Sequence, residues 1–191
     1  MGIKAQQNLG QGMNRMSKKT KGGAWALTTL ALIAPLAAPI AAYADPAKDV
    51  LIAGRALTFL ENGPTGKATL GVVFDPSKPA SVAEKNAVMA AIGGGMNAGT
   101  VTIIGKPVEA GDVGGVSGVA ALYVTKGVNV GAAAKAKKLI TIGSDAGCVS
   151  SGACVMAVSG DPKVEIVVSR SSAAAVGAVF KAAFRMMIRE V

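Results

Sequence analysis

Leu139-Ile140-Thr141-Ile142-Gly143, followed by Cys148-Val149-Ser150-Ser151-Gly152-Ala153-Cys154 and then Val155-Met156-Ala157-Val158, is the stretch whose reading decides the fold. Its first five residues form a short, continuous apolar run, the pattern of a strand buried on both faces. After the cysteine loop, Val155 to Val158, the turn Ser159-Gly160-Asp161-Pro162 and Val164-Glu165-Ile166-Val167-Val168 read as a hairpin. The parallel-type strand and the hairpin together call for an α/β domain with an antiparallel piece near its end.

Downstream, Ser169 to Ser172 opens what the spacing predicts to be one long amphipathic helix to the C-terminus. Val176, Val179, Phe180, Ala183, Phe184, Met187, Ile188 and Val191 recur at i, i+3, i+4 and i+7. Lys181, Arg185 and Arg189 fall on the opposite side at i, i+4 and i+8. Such a stripe serves either to pack the helix on the sheet or to form a partner or dimer surface. Met186 beside Met187 widens the apolar area in the manner of an adaptable contact surface. Lys181, Arg185, Met186 and Arg189 are therefore the candidate partner-binding residues.

Upstream, Lys48 to Leu60 has the apolar spacing of a helix, and Asn62-Gly63-Pro64-Thr65-Gly66 is a turn. Thr69 to Phe74 reads as a buried strand. Ser81, with Glu84 three residues on, has the form of a capping box opening a helix from Val82 to about Ile92. Gly93-Gly94-Gly95 ends it. Thr100 to Ile104 is the next strand, and Lys106-Pro107-Val108 continues it as an edge segment, where proline is tolerated. Val119 to Val124 is a strand and Val130 to Lys138 a short helix whose lysines suit its C-terminal end. Helices between buried strands imply crossovers and a mostly parallel sheet.

The glycine runs do not read as nucleotide loops. A phosphate loop follows a strand and opens a helix, whereas Gly93-Gly94-Gly95 closes one and lacks a Lys-Ser/Thr ending; Gly111 to Gly118 lacks the spacing. No cofactor is expected.

The N-terminus reads as an export signal. Residues 1–22 are polar and basic, Ala24 to Ala44 is an almost unbroken apolar run, and Ala42-Tyr43-Ala44 is a small-x-small cleavage pattern. Residues 1–44 are thus expected to be a signal peptide and 45–191 the exported domain, in the bacterial periplasm.

Charge and composition narrow the chemistry. Of the 20 basic residues, five lie within 1–44, leaving 15 against 11 acidic residues, a net of +4 for the remainder. With no aromatic residues interleaved among the basic ones, this does not argue for nucleic acid. The chain has no histidine, which removes Ser-His and Cys-His pairs and His-ligated zinc. Ser150 and Ser151 have no base at nucleophile spacing, so no enzyme is expected. Two cysteines cannot build a four-thiolate metal site, and C-x5-C is not the C-x2-C redox spacing. In an oxidising compartment Cys148 and Cys154 form a local disulfide, which shapes the loop more than it holds the domain.

These pieces resemble the YfiR-like periplasmic family over roughly Val50 to Val191. Leu139 to Asp145 looks like that family's strand ending in a Gly-Asp loop. Gly152-Ala153-Cys154-Val155-Met156-Ala157 resembles its small-residue entry to an apolar strand. Lys163 to Ser169 resembles its strand of alternating charge, and Ser171 to Met187 its closing alanine-rich helix. A disulfide near the Cys148–Cys154 position also occurs there. Ser169 stands where the family usually has asparagine, Asn62-Gly63-Pro64 where it has Trp-Pro, and its second cysteine pair is missing.

The resemblance implies a non-enzymatic regulator that binds the periplasmic sensor part of an inner-membrane diguanylate cyclase and holds it inactive. Redox state or another envelope signal would release the repression. The other reading is a small-ligand module like one lobe of a periplasmic binding protein, with Gly93-Gly94-Gly95 and Gly143-Ser144 contacting an anion.

Overall fold

The computed structural model describes residues 45–191. The signal-peptide reading of 1–44 lies outside the described residues. Among the described residues no helix is long and apolar enough to cross a membrane.

The first helix, α1 (Pro46–Leu57), is opened by Asp45, whose carboxylate accepts from the Ala47 N–H at 3.0 Å. It is followed by β1 (Gly66–Phe74), α2 (Pro79–Ile92), β2 (Met96–Ala98) and β3 (Val101–Glu109). A 3-10 turn over Ala110–Gly115 leads to β4 (Ala121–Val124), α3 (Gly131–Ala136), β5 (Thr141–Gly143) and α4 (Ala146–Ser150). The chain ends with β6 (Met156–Ser159), β7 (Glu165–Val168), α5 (Arg170–Val176), α6 (Ala182–Arg185) and β8 (Arg189–Glu190).

The strands form one sheet in the order β2-β3-β1-β4-β5-β6-β7-β8. Strands β3, β1, β4, β5 and β6 run parallel, as expected from the alternation of strands and helices. The β6–β7 hairpin is antiparallel, also as expected, with Met156 opposite Val168 and Ser159 opposite Glu165. Pro107 lies beyond the point where β2 pairs with β3, so its missing N–H falls on an open stretch of strand.

Alternation along the strands divides the core. On one face Leu70, Val72, Ile103, Tyr123, Ile142 and Met156 pack against Val50, Leu57 and Val88 of α1 and α2. On the other, Val73, Val108, Leu122, Val124 and Ala157 pack against Val113, Ala134 and Val149. Each fully buried Leu, Ile or Val contributes about 1.5–3 kcal/mol relative to exposure.

The C-terminus departs from the single helix that the periodicity predicts. Helix α5 begins on Ser169, whose hydroxyl accepts from the Ser172 N–H at 3.2 Å, a role that asparagine fills equally well. It ends after two turns because Gly177 adopts φ +74°, and the Ala178 N–H returns to the Ala173 carbonyl at 2.9 Å. Ala178 to Lys181 then runs extended beside the end of α1: Glu61 N–H donates to Val179 O and Lys181 N–H to Phe59 O, each at 2.9 Å. Phe180 and Phe184 are buried, with Phe184 stacked on Phe59 at 5.0 Å between ring centroids and Phe180 at 5.2 Å from Phe184. Val179, Ala183 and Met187 of the expected stripe are exposed instead. The last residues add β8 to the sheet edge, with Val191 N–H donating to Val168 O at 2.9 Å.

Candidate functional site

The chain goes from β1 outward to β3 on one side and then from β3 back across β1 to β4 on the other, so the strand order reverses at β1. In an open parallel sheet that reversal leaves a crevice outside the carboxyl ends of the strands, where ligands bind. Here the crevice is bounded by the segments after β1, β4 and β5: Asp75, Thr125-Lys126-Gly127 and Ser144-Asp145.

A buried polar network fixes its rim. The Ser81 hydroxyl accepts from the Asp75 N–H at 2.9 Å and lies 2.6 Å from the Thr125 hydroxyl, which donates to the Val73 carbonyl at 2.9 Å. Ser81 and Thr125 are both buried. The capping box expected at Ser81 is therefore not what forms. The helix opens one turn earlier, with Lys78 at the N-cap position and Pro79 at its first position, and Ser81 is committed to joining β1 and β4.

Glu84, freed from capping, faces the strand ends. Its carboxylate accepts from the Lys126 N–H at 2.7 Å, the Ser144 hydroxyl at 2.9 Å and the Tyr123 hydroxyl at 3.4 Å. Nearby on α1, Asp49 is 1% exposed, and its Oδ1 accepts from the Gly160 N–H at 2.8 Å, pinning the β6–β7 turn to the helix. Burial raises the Asp49 carboxyl above the ordinary value, and the Gly160 N–H partly offsets this. Burial, with Glu84 alongside, pushes the Tyr123 phenol well up, so it stays protonated.

Asp49, Glu84, Tyr123, Lys126 and Ser144 line one cavity of about 290 Å³, walled by Pro46, Ala80, Ala83 and Ala87. On the other face of the sheet, a cavity of about 380 Å³ lies between the β4–α3 and β5–α4 loops and reaches Cys148. Lys126 and Ser144 border both.

The disulfide expected between Cys148 and Cys154 is present, joining α4 to the start of β6. It rests on Gly143 at the end of β5. The structure does not bring together the two glycine-rich segments proposed to hold an anion. Gly93-Gly94-Gly95 follows the C-terminus of α2, at the sheet edge opposite Gly143-Ser144, because α2 runs antiparallel to β1.

Nor do Lys181, Arg185, Met186 and Arg189 share one helix face, since the helix is interrupted. Lys181 precedes α6 and its Nζ donates to Thr58 O at 3.3 Å. Arg185 pairs with Glu190 at 2.9 Å, and Arg189, on β8, with Glu165 at 3.2 Å. Arg185 and Glu190 each favour the other's charged form, the guanidinium held higher and the carboxyl lower than usual. All four remain at the surface. Of the exposed large apolar residues, Val179 (61%), Met186 (88%), Met187 (62%) and Val191 (50%) lie in this one segment. Val164, 65% exposed, lies in the β6–β7 turn.

No family model matches the chain, and no curated protein matches it in sequence. Among solved structures it is similar to a conserved domain protein from Vibrio cholerae O1 biovar El Tor, at 11% identity and a TM-score of 0.54. That likeness covers 77% of this chain and 60% of the other, and at such identity it shows the fold alone. A substrate-binding protein with adhesive properties from Clostridium difficile, in its ligand-free open structure, aligns at 17% identity over 65% of this chain and 54% of its own. Its TM-score of 0.46 is too low to argue from. The chain thus spans 60% and 54% of the lengths of these two proteins.

Asp49, Glu84, Tyr123 and Lys126 were not visible as a group from spacing, because they come from two helices and a strand end. The signal that could have found them is a carboxylate, Glu84, set among the alanines of α2, where nothing within the helix needs it.

Proposed function

We propose that this protein is an exported, non-enzymatic regulator that acts by binding another protein, the periplasmic sensor part of an inner-membrane diguanylate cyclase. The partner class comes from the sequence resemblance described above. The single observation that supports a binding role is the C-terminal segment, where Val179, Met186, Met187 and Val191 are solvent-exposed beside Lys181, Arg185 and Arg189. Exposed apolar side chains gathered in one segment and rimmed by cations have the composition of a protein contact surface. Met and Arg are enriched at such surfaces because one adapts to the partner's shape and the other offers a rigid fork of donors.

The disulfide gives the reading a place for redox input. It joins the segment after β5 to the strand that precedes the hairpin. Reduction would free the α4 loop and so change how the hairpin edge is held, a local event with a distant readout.

Cross-linking in intact envelopes, followed by capture of the full chain and mass spectrometry, tests this. Recovery of a membrane protein carrying a diguanylate cyclase domain is expected, and its loss in the Met186→Asp, Met187→Asp double variant. No such partner, or recovery indifferent to the double substitution, would overturn the reading. Recovery that ignores reductant would leave the regulator standing and make the disulfide structural.

A further inference from the structure

The cavity between the N-terminal halves of α1 and α2 has a chemistry distinct from that of the C-terminal surface. Its polar groups are two carboxylates, Asp49 and Glu84, one phenol, Tyr123, one hydroxyl, Ser144, and one ammonium, Lys126. The formal charge facing it is therefore negative. Glu84 is already filled: a backbone N–H and two hydroxyls donate to it. Asp49 is not. Its Oδ1 takes the Gly160 N–H, while Oδ2 has no hydrogen-bond partner among the described residues. Among the described residues no fully buried side-chain oxygen lacks a partner, so Oδ2 of this 1%-exposed carboxylate opens onto the cavity it lines and can accept from a donor bound there. The Tyr123 hydroxyl donates to Glu84 and keeps lone pairs free to accept.

The remaining walls are apolar and small. Ala80, Ala83 and Ala87 line up at i, i+3 and i+7 on α2, facing Pro46. At about 290 Å³ the space is at the lower end of small-molecule sites. A metal ion fits poorly, since among the described residues no three metal-ligating side chains cluster and the walls offer no further oxygens. An anion would meet the wrong charge. What suits one open carboxylate, one phenolic oxygen and an alanine wall is a cation carrying both N–H donors and a hydrocarbon body.

We propose that this cavity binds a small primary organic ammonium ion, its head donating to Asp49 Oδ2 and the Tyr123 oxygen and its apolar body lying along Pro46, Ala80, Ala83 and Ala87. The site is independent of the protein-binding surface: it sits at the carboxyl edge of the sheet and uses none of the C-terminal residues.

The probe is isopentylammonium chloride, titrated into the full chain and followed by backbone amide NMR, with isopentyl alcohol as the neutral isostere. Saturable shifts centred on Ala83, Ala87, Lys126 and Ser144 are expected for the ammonium. The alcohol and the Asp49→Asn variant should each bind about 10- to 100-fold more weakly, the loss of one charge-assisted hydrogen bond. Asp49→Asn keeps the carbonyl that accepts from Gly160, and its melting temperature checks that it is folded. Tyr123→Phe, which leaves the charge unchanged, should weaken the ammonium and spare the alcohol. Equal binding of ammonium and alcohol would overturn the proposal in favour of a plain apolar crevice. Inorganic phosphate shifting the same amides would overturn it in favour of an anion site, and no saturable shift in the wild-type chain would refute it outright.

Discussion

Gly143 lies directly under Cys148. A Cβ placed on Gly143 would sit 2.6 Å from the Cys148 sulfur and 2.9 Å from that of Cys154. The end of β5 can therefore carry no side chain while the bridge is formed, and the absence of one there is what lets α4 close onto the sheet. Gly143→Ala is expected to destabilise the oxidised protein by about 1–3 kcal/mol, the usual cost of overpacking a filled site. In a Cys148→Ala, Cys154→Ala background, which itself costs about 2 kcal/mol through the short loop released, the Gly143→Ala penalty should largely disappear. Denaturant unfolding of the four proteins gives the coupling directly; an additive result would show that the sulfurs do not rest on Gly143.

Ser81 and Thr125 form the polar joint between α2, β1 and β4, with hydroxyls 2.6 Å apart in a buried setting. Ser81→Ala leaves the Asp75 N–H and the Thr125 hydroxyl each short of a partner and should cost about 1–3 kcal/mol. The double-mutant cycle with Thr125→Val should show an interaction energy above about 0.5 kcal/mol. Were Ser81 a helix cap, its loss would be independent of Thr125, so a zero coupling term would refute the joint.

Asp49 carries a pH signature. Its carboxyl is raised in the folded protein by burial, so the native state holds the proton to higher pH than the unfolded chain does. Stability from this group therefore falls as pH rises from the unfolded value of 3.8 through the raised folded value, and is lowest above it. Asp45, Glu84 and Lys126 face the group and add smaller Coulombic contributions, the first two raising it and the lysine lowering it. Asp49→Asn should stabilise the protein near pH 7 and lose that advantage below pH 3.8. Melting curves of both proteins across pH 3 to 8 are the check; a variant less stable than wild type at pH 7 would contradict it.

Gly177 decides the course of the C-terminus. In a continuous helix, Gly177→Ala would stabilise by about 1 kcal/mol. At φ +74° an added Cβ is strained, and the substitution should instead destabilise by about 1–2 kcal/mol. The sign of the change in unfolding free energy separates the two conformations.

The parallel strands, the β6–β7 hairpin, the helix before β3 and the local disulfide were all legible from the residues alone, because each depends on periodicity or on a short sequence separation. Leu70, Leu122 and Ile142 announce buried strands wherever their partners happen to lie, and two cysteines six residues apart have few alternatives to pairing. The C-terminus is where helical periodicity misleads. Val176, Phe180 and Phe184 are spaced by four and all buried, yet they reach the core through a broken path, since one αL glycine and the pairing of Glu61 and Lys181 with the opposite backbone outweigh helix propensity.

The candidate sites divide the same way. Local pattern was enough to pair Cys148 with Cys154. It was not enough to assign Ser81 and Glu84, whose spacing mimics a capping box, because their partners Thr125, Lys126 and Ser144 are 42 to 60 residues away and meet them only when β1, β4 and β5 are laid side by side. Side-chain periodicity encodes which face of an element is buried; the order in which strands pair, and hence which distant polar groups share a cavity, is set by long-range packing that no local spacing records.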